Sequence, residues 1–400
     1  MHAQLSFLDG TFSLIHIPLD LYPTLLQPIL RVLLPQKQSL DTPKTCPEDE
    51  IGGLTADEFQ HVFLNISITP IECSVVCHSS WATHVFQPLI DKLPKDQAES
   101  ISISTDTYMV LSVISAGLDA AGRVMELSSP LALAGVPIFF ITTYYSDFIL
   151  VPTKERETVV EALSTKGFQL SDQNNFINPS AYSYGSTPAD TSPPGTPRPS
   201  NVTELQDRAF ELLQKRNVKP YVAEGLELVQ CSGREISQLA ESFMHRASIG
   251  RKSSVTETEK PTWIDGVDPK LYTRLVSALV SQPRFLSITL AQDDPPSILL
   301  DKTLLPMFGD SLIGDMDSKL TPIFLDLVSL PFEVTGIVCG VAGRLVNEMQ
   351  MTETAELCYL STARASAVIL PEEQAIRARG ILEPIFNQSA EVTETTPATE

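Results

Sequence analysis

Thr142-Thr143-Tyr144-Tyr145-Ser146-Asp147-Phe148-Ile149-Leu150-Val151-Pro152 reads as the end of one strand, a tight turn and a second strand. A short polar turn sits between β-branched and aromatic residues, the composition of a half-buried hairpin. The pattern returns at Ser361-Thr362-Ala363-Arg364-Ala365-Ser366-Ala367-Val368-Ile369-Leu370-Pro371, at an offset of 362 − 143 = 219. Two further echoes fall at nearly the same spacing. Ala121-Gly122-Arg123-Val124 matches Ala342-Gly343-Arg344-Leu345 at 342 − 121 = 221. Phe63-Leu64-Asn65-Ile66-Ser67-Ile68-Thr69 matches Phe285-Leu286-Ser287-Ile288-Thr289-Leu290 at 285 − 63 = 222. Three ordered matches at almost one offset argue for two homologous halves.

Outward from the first hairpin, Tyr108–Ile114 reads as a strand, Ser115-Ala116-Gly117 as a turn, and Val124, Leu127 and Leu131 as one face of a helix. Pro137–Thr143 and Asp147–Val151 are strands. Glu155–Lys166 is a helix stopped by Gly167, with Val159, Val160 and Leu163 on its inner face. In the second half, Thr335–Cys339 reads as a strand, Gly340–Gly343 as a turn, and Val341, Leu345, Val346 and Met349 as a helical face. Ala355–Ser361 and Ala367–Leu370 follow as strands, and a short helix closes at Gly380. This β-α-β-β-α order is that of a ferredoxin-like module. Weaker strand pairs at Met1–Leu93 and Gly225–Phe308 suggest one more module in each half. The expected fold class is α+β, with four tandem βαββαβ modules in two duplicated halves. The expected boundaries are 1–95, 100–170, a disordered linker at 171–215, 216–312 with a flexible insertion near 249–262, 318–386, and a disordered tail at 387–400. The linker reading rests on Tyr182-Ser183-Tyr184-Gly185-Ser186 and Thr191-Ser192-Pro193-Pro194-Gly195-Thr196-Pro197, which hold too little apolar surface to offset ordering. Gln38–Gly53 reads as a shorter polar insertion.

Composition narrows the function. Of 400 residues, 43% are hydrophobic, enough for real cores. Twenty-eight Lys and Arg against 49 Asp and Glu leave a formal charge of −21. That field repels phosphate backbones and acidic membrane surfaces, so no nucleic acid and no membrane insertion are expected. Asp9, Gly10 and Pro18 break the first apolar stretch, no basic segment precedes it, and no run is long enough to span a bilayer. A cytoplasmic protein with six reduced cysteines is the expectation, in which Asn65, Asn201 and Asn387 carry no sugar despite their Asn-x-Ser/Thr triplets.

Catalytic signals are weak. No Gly-x-Ser-x-Gly elbow, P-loop or Gly-x-Gly-x-x-Gly is present. Cys73, Cys77, His78 and His84 read as core and strand residues rather than metal ligands. Asp310, Asp315 and Asp317 lack the spacing of a calcium loop, and Asp293-Asp294 precedes a Pro-Pro turn. The chain is expected to be no enzyme and to need no cofactor or metal. The Gly336–Gly343 stretch fits either a backbone cradle for a carboxylate or close packing of a helix on a sheet.

The segments Val136–Val151 and Pro331–Pro371, with weaker similarity at Leu5–Pro35 and Thr69–Ser79, resemble the CASTOR family of ACT-domain proteins, cytosolic arginine sensors of the TOR nutrient pathway. The resemblance implies four ACT modules, an amino acid held between the second and fourth, and binding to the GATOR complex. It also implies a regulatory protein, with a homodimer among its possible assemblies. The family's ligand-contact positions fall on Pro137, Ile138, Pro331, Ile337, Val338, Thr362, Ala363 and Ser366, and Gly336 of the backbone cradle joins them as a ligand candidate. Its partner-contact positions fall on Tyr144, Tyr145 and Asp147, with Tyr145 in place of an amide residue. The family's carboxylates at the positions of Val334 and Ser366 are missing here. A buried guanidinium needs such partners, so the substitutions argue against arginine and leave a neutral amino acid, a different metabolite or no ligand, with a ligand-independent scaffold or a regulatory subunit as the alternative function.

Overall fold

The computed structural model describes residues 4–34, 62–114, 122–171, 199–234, 268–292, 294–351 and 356–387. The expected insertions at Gln38–Gly53 and 249–262, the Pro-rich part of the linker and the tail from 388 lie outside them.

The strand and helix order of the ferredoxin-like unit recurs along the chain. In the first unit, the strands Phe12–Ile17, Phe63–Ile68, Cys73–His78 and Ser102–Ile103 pair in the spatial order fourth, first, third, second. The helix Tyr22–Leu33 and the helical run Ser79–Ile90 form the connections. A corresponding unit spans the strands Leu228–Gly233, Leu286–Ala291, Asp294–Asp301 and Leu312–Ile313, with the helix Pro269–Val280 as its first crossover. Between them, Tyr108–Ile114, Phe139–Thr142 and Asp147–Pro152 pair with the helices Arg123–Leu133 and Arg156–Thr165 as connections. Here the N-terminal strand Gln4–Phe7 slips between the first strand and the last, Gln169–Ser171, antiparallel to one and parallel to the other. The final unit contains Leu320–Asp326, Cys358–Ser361 and Ala365–Pro371, with the helices Ile337–Met349 and Glu372–Asn387. Its outer strand is Pro220–Tyr221, drawn from earlier in the chain.

Followed through its pairings, the sheet closes into a ring of twelve strands. Three of its joints are single residue pairs: Phe12↔Tyr108, Leu228↔Leu320 and Leu360↔Ile141. The fourth, between Phe63–Ile68 and Leu286–Ala291, runs six pairs long. The ring is flattened, so two broad sheets face each other. Strand residues alternate between the two faces. Phe12, Phe63, Phe148, Phe285, Phe324 and Leu360 fill the space between the sheets. The opposite residues pack beneath helices in two separate outer cores, one for each sheet.

At the six-pair joint the inward residues are polar. Asn65 Nδ2 donates to Thr289 Oγ1 at 3.0 Å, and the Ser67 and Ser287 hydroxyls meet at 2.8 Å, all buried. A slip of one residue would leave these groups unpaired in the core, so they fix the register between the halves.

Several sequence expectations are corrected. The first strand of the last unit is Leu320–Asp326, and Thr335–Cys339 opens a helix instead. Gly340 and Gly343 lie inside that helix rather than in a turn. A Cβ at Gly340 would come within 3.1 Å of Ala209, and one at Gly343 within 2.3 Å of Gln206 Nε2. The glycines let a neighbouring helix approach. That neighbour, Val202–Lys215, falls inside the expected linker 171–215. Asn201 caps it by accepting from the Glu204 N–H at 2.9 Å, while Glu204 accepts back from the Ser200 N–H at 2.8 Å. Leu205, Ala209, Phe210 and Leu213 bury its inner face. The last helix does not close at Gly380 but runs through it to Asn387.

Candidate functional site

The joint Leu360↔Ile141 brings the hairpin of the second unit edge to edge with that of the fourth. The contact is reciprocal. The Phe140 N–H donates to Ser361 Oγ and the Tyr359 N–H donates to Thr142 Oγ1, each at 3.0 Å. Phe140 and Thr142 stand 219 residues before Tyr359 and Ser361, so a pseudo-twofold axis runs through this seam.

On the helix side of the seam lies a cavity of about 60 Å³. Seven of the nine expected ligand positions line it: Ile138, Pro331, Ile337, Val338, Thr362, Ala363 and Ser366. Pro137 falls one residue outside the wall. Gly336 is the N-cap of the helix Ile337–Met349, at φ +85°. A Cβ there would meet Leu205 Cδ1 at 2.9 Å, so this glycine is required by both backbone and packing. The helix has no side-chain cap and no acidic residue in its first turn. Ile337 and Val338 place its electropositive N-terminus at the cavity.

Sequence reading missed Tyr359, Phe139, Phe332, Leu327 and Leu330, which complete the wall with Val334, Ser361 and Ala365. Tyr359 is fully buried. Its hydroxyl and Ser366 Oγ lie beside each other in the wall, and neither meets a further hydrogen-bond partner. Burial pushes the tyrosine hydroxyl up to about 12, so it stays neutral. Only period-two alternation could have signalled Tyr359, which shares a face with Ser361 and, across the hairpin, with Ser366. Among the described residues, no carboxylate lines the cavity. Over its rim the Arg364 guanidinium stacks on Phe332, 3.9 Å from the ring centroid, and donates to the Leu330 carbonyl at 3.2 Å.

The corresponding site in the second unit is closed. Asp147, at the place of Ser366, is 1% exposed and ion-paired with Arg123. Burial pushes its carboxyl up to about 6, although the Arg123 charge and the Thr142 hydroxyl pull the other way. This corrects the expectation that Asp147 contacts a partner, because its carboxylate faces inward to an internal arginine. Tyr144 and Tyr145 do reach solvent, at 37% and 44% exposure, with rings 4.9 Å apart edge to face.

The five described cysteines are buried, and burial raises every one of their thiols. Among the described residues, no cluster of three or more His, Cys, Asp or Glu could hold a metal. Also among them, no helix is long and apolar enough to cross a membrane.

Residues 103–165 match the family model of the ACT domain, so the second unit carries an ACT domain. No curated protein matches the chain. Among solved structures, protein Atu0741 from Agobacterium tumefaciens is similar at 18% identity, over 44% of this chain and 98% of that one, with a TM-score of 0.27. An aspartate kinase from Synechocystis is similar at 11% identity over 99% of this chain, with a TM-score of 0.30. This chain spans 57% of the kinase's length.

Proposed function

We propose that the chain is a non-catalytic regulatory protein that binds one small neutral amino acid at the seam between its second and fourth units. ACT domains commonly bind amino acids in regulatory proteins. In this reading all four units are ACT modules. The observation that carries it is the buried Tyr359–Ser366 hydroxyl pair, without further partners, beside a helix N-terminus that no side chain caps, in a mostly apolar cavity. Buried hydroxyls of this kind are costly unless something binds them. The helix N-terminus suits a ligand carboxylate, and the hydroxyls accept from its ammonium group. Ile138, Leu330, Val334 and Val338 suit an aliphatic side chain, for which the cavity of about 60 Å³ has to widen as the ligand enters. Lysine and arginine would bring a cation to a wall with no carboxylate to meet it.

The likeness to the CASTOR family extends the reading to TOR nutrient signalling in the cytoplasm. There the exposed Tyr144–Tyr145 pair would contact a GATOR-like complex, and the ligand would change that contact by its preference for one arrangement of the halves. Aromatic pairs of this exposure make effective partner anchors. Calorimetry across the twenty amino acids tests the ligand. Heat from leucine, isoleucine or valine, with silence from arginine and lysine, is expected, and silence across the panel overturns amino-acid binding. Pull-down of the partner with Tyr144→Ala tests the surface. Unchanged capture overturns the assignment of the tyrosines.

A further inference from the structure

The cavity wall is held from the opposite sheet. Glu72 belongs to the first unit, in the turn between Phe63–Ile68 and Cys73–His78, and is fully buried. Its Oε1 accepts from the Thr362 hydroxyl at 2.5 Å and from the Arg364 N–H at 2.6 Å. Its Oε2 meets His16 Nδ1 at 2.5 Å. Two residues on, Ser74 Oγ accepts from the Ala363 N–H at 3.1 Å. Every residue from Thr362 to Arg364 is thus tied to the first unit. Thr362 and Ala363 line the cavity, and Arg364 stacks over its rim.

The corresponding turn of the second unit supplies an internal control. It docks on the third unit in the same way, the Tyr144 N–H donating to Ser297 Oγ at 2.9 Å. Within that turn the Thr143 hydroxyl donates to the Ser146 carbonyl at 2.7 Å. In the cavity turn the matching distance, Thr362 to Ala365, is 3.1 Å, because the hydroxyl reaches out to Glu72 instead. Ser74 alone would supply the generic joint. Glu72 adds an acceptor oxygen that fixes two further groups of the wall, and in a buried place each hydrogen bond is costly to lose.

Building on the amino-acid reading above, we propose that Glu72 is the positioning residue of this cavity. The site then takes its binding shape only while the two opposed sheets are docked, and the order of the first unit and ligand affinity become linked quantities.

Glu72→Met keeps the volume and removes the acceptors, whereas Glu72→Gln keeps an acceptor oxygen. In ligand-free protein, amide exchange at Ala363 and Arg364 is expected to quicken by about tenfold or more in Glu72→Met, with Tyr144 unchanged and Glu72→Gln close to wild type. Leucine affinity is expected to fall by about tenfold in Glu72→Met and to recover in Glu72→Gln. Equal exchange in Glu72→Met and wild type overturns the proposal, as does exchange that quickens at Tyr144 to the same extent. Should wild type bind no amino acid, the ligand reading falls, and the exchange arm still decides whether Glu72 orders the turn.

Discussion

The turns Thr143–Asp147 and Thr362–Ser366 are copies of one hairpin set to opposite uses. Both pair edge to edge, both close with a threonine N–H donating across the turn at 2.9 Å, and both dock on the opposite sheet through a serine. Among the positions that differ, the last sets the contrast. Asp147 is satisfied by Arg123 of its own unit, so the chain fills that site itself. Ser366 faces Tyr359 with nothing further to bond, and a cavity lies in front of it. Duplication thus leaves one pseudo-site sealed by an internal ion pair and the other open. Which one opens follows from side chains more than from the backbone, which is shared.

The comparison breaks most visibly at the ion pair. Asp147→Ala strands the Arg123 guanidinium in a largely buried place and should cost about 3 kcal/mol of stability by urea denaturation. Ser366→Ala, at the corresponding place, should cost less than about 1 kcal/mol, because it removes a hydroxyl that lacks a full set of partners. Equal losses would mean that the two sites are not used differently. The pair also sets a pH dependence. With its carboxyl raised to about 6, Asp147 holds its proton more tightly folded than unfolded. Its contribution is therefore fully present below about pH 4 and is lost as pH rises through about 6. Stability of the wild type relative to Asp147→Asn should fall across that window by up to about 3 kcal/mol. A flat difference would remove burial as the dominant influence.

Smaller changes sharpen the open site. Gly336→Ala forces a Cβ onto a positive φ and against Leu205, and should cost about 1–2 kcal/mol while weakening leucine binding at the helix terminus. Smallest in stability is Tyr359→Phe, which turns the open site toward the phenylalanine of the sealed one. It should leave the folding midpoint within about 1 kcal/mol of wild type, yet lower leucine affinity by about tenfold in calorimetry. Unchanged affinity would remove the hydroxyl from the ligand's contacts.

Much of this was legible in the sequence. The repeat offsets marked the two hairpins and hence the pseudo-twofold seam, and an ACT domain is found at residues 103–165. Seven residues placed by family resemblance gather around one cavity. What the sequence hid was long-range. Nothing near Glu72 in the sequence marks it out, and only the ring closure carries it to Thr362, 290 residues away. Asp147 reads as a surface turn residue, because nothing local tells that Arg123 reaches it. The first two turns of the helix Ile337–Met349 read as strand and turn, because the Ile, Val and Gly content there is poor in helix formers. Packing against Val202–Lys215 and Arg123–Leu133 overrides that preference.

The asymmetry between the two hairpins is tested most directly by amide exchange with and without saturating leucine. Protection is predicted across Ser361–Ser366 and at the first turn of the helix Ile337–Met349, with Thr142–Asp147 unchanged. Equal protection of both hairpins, or of neither, would contradict the account.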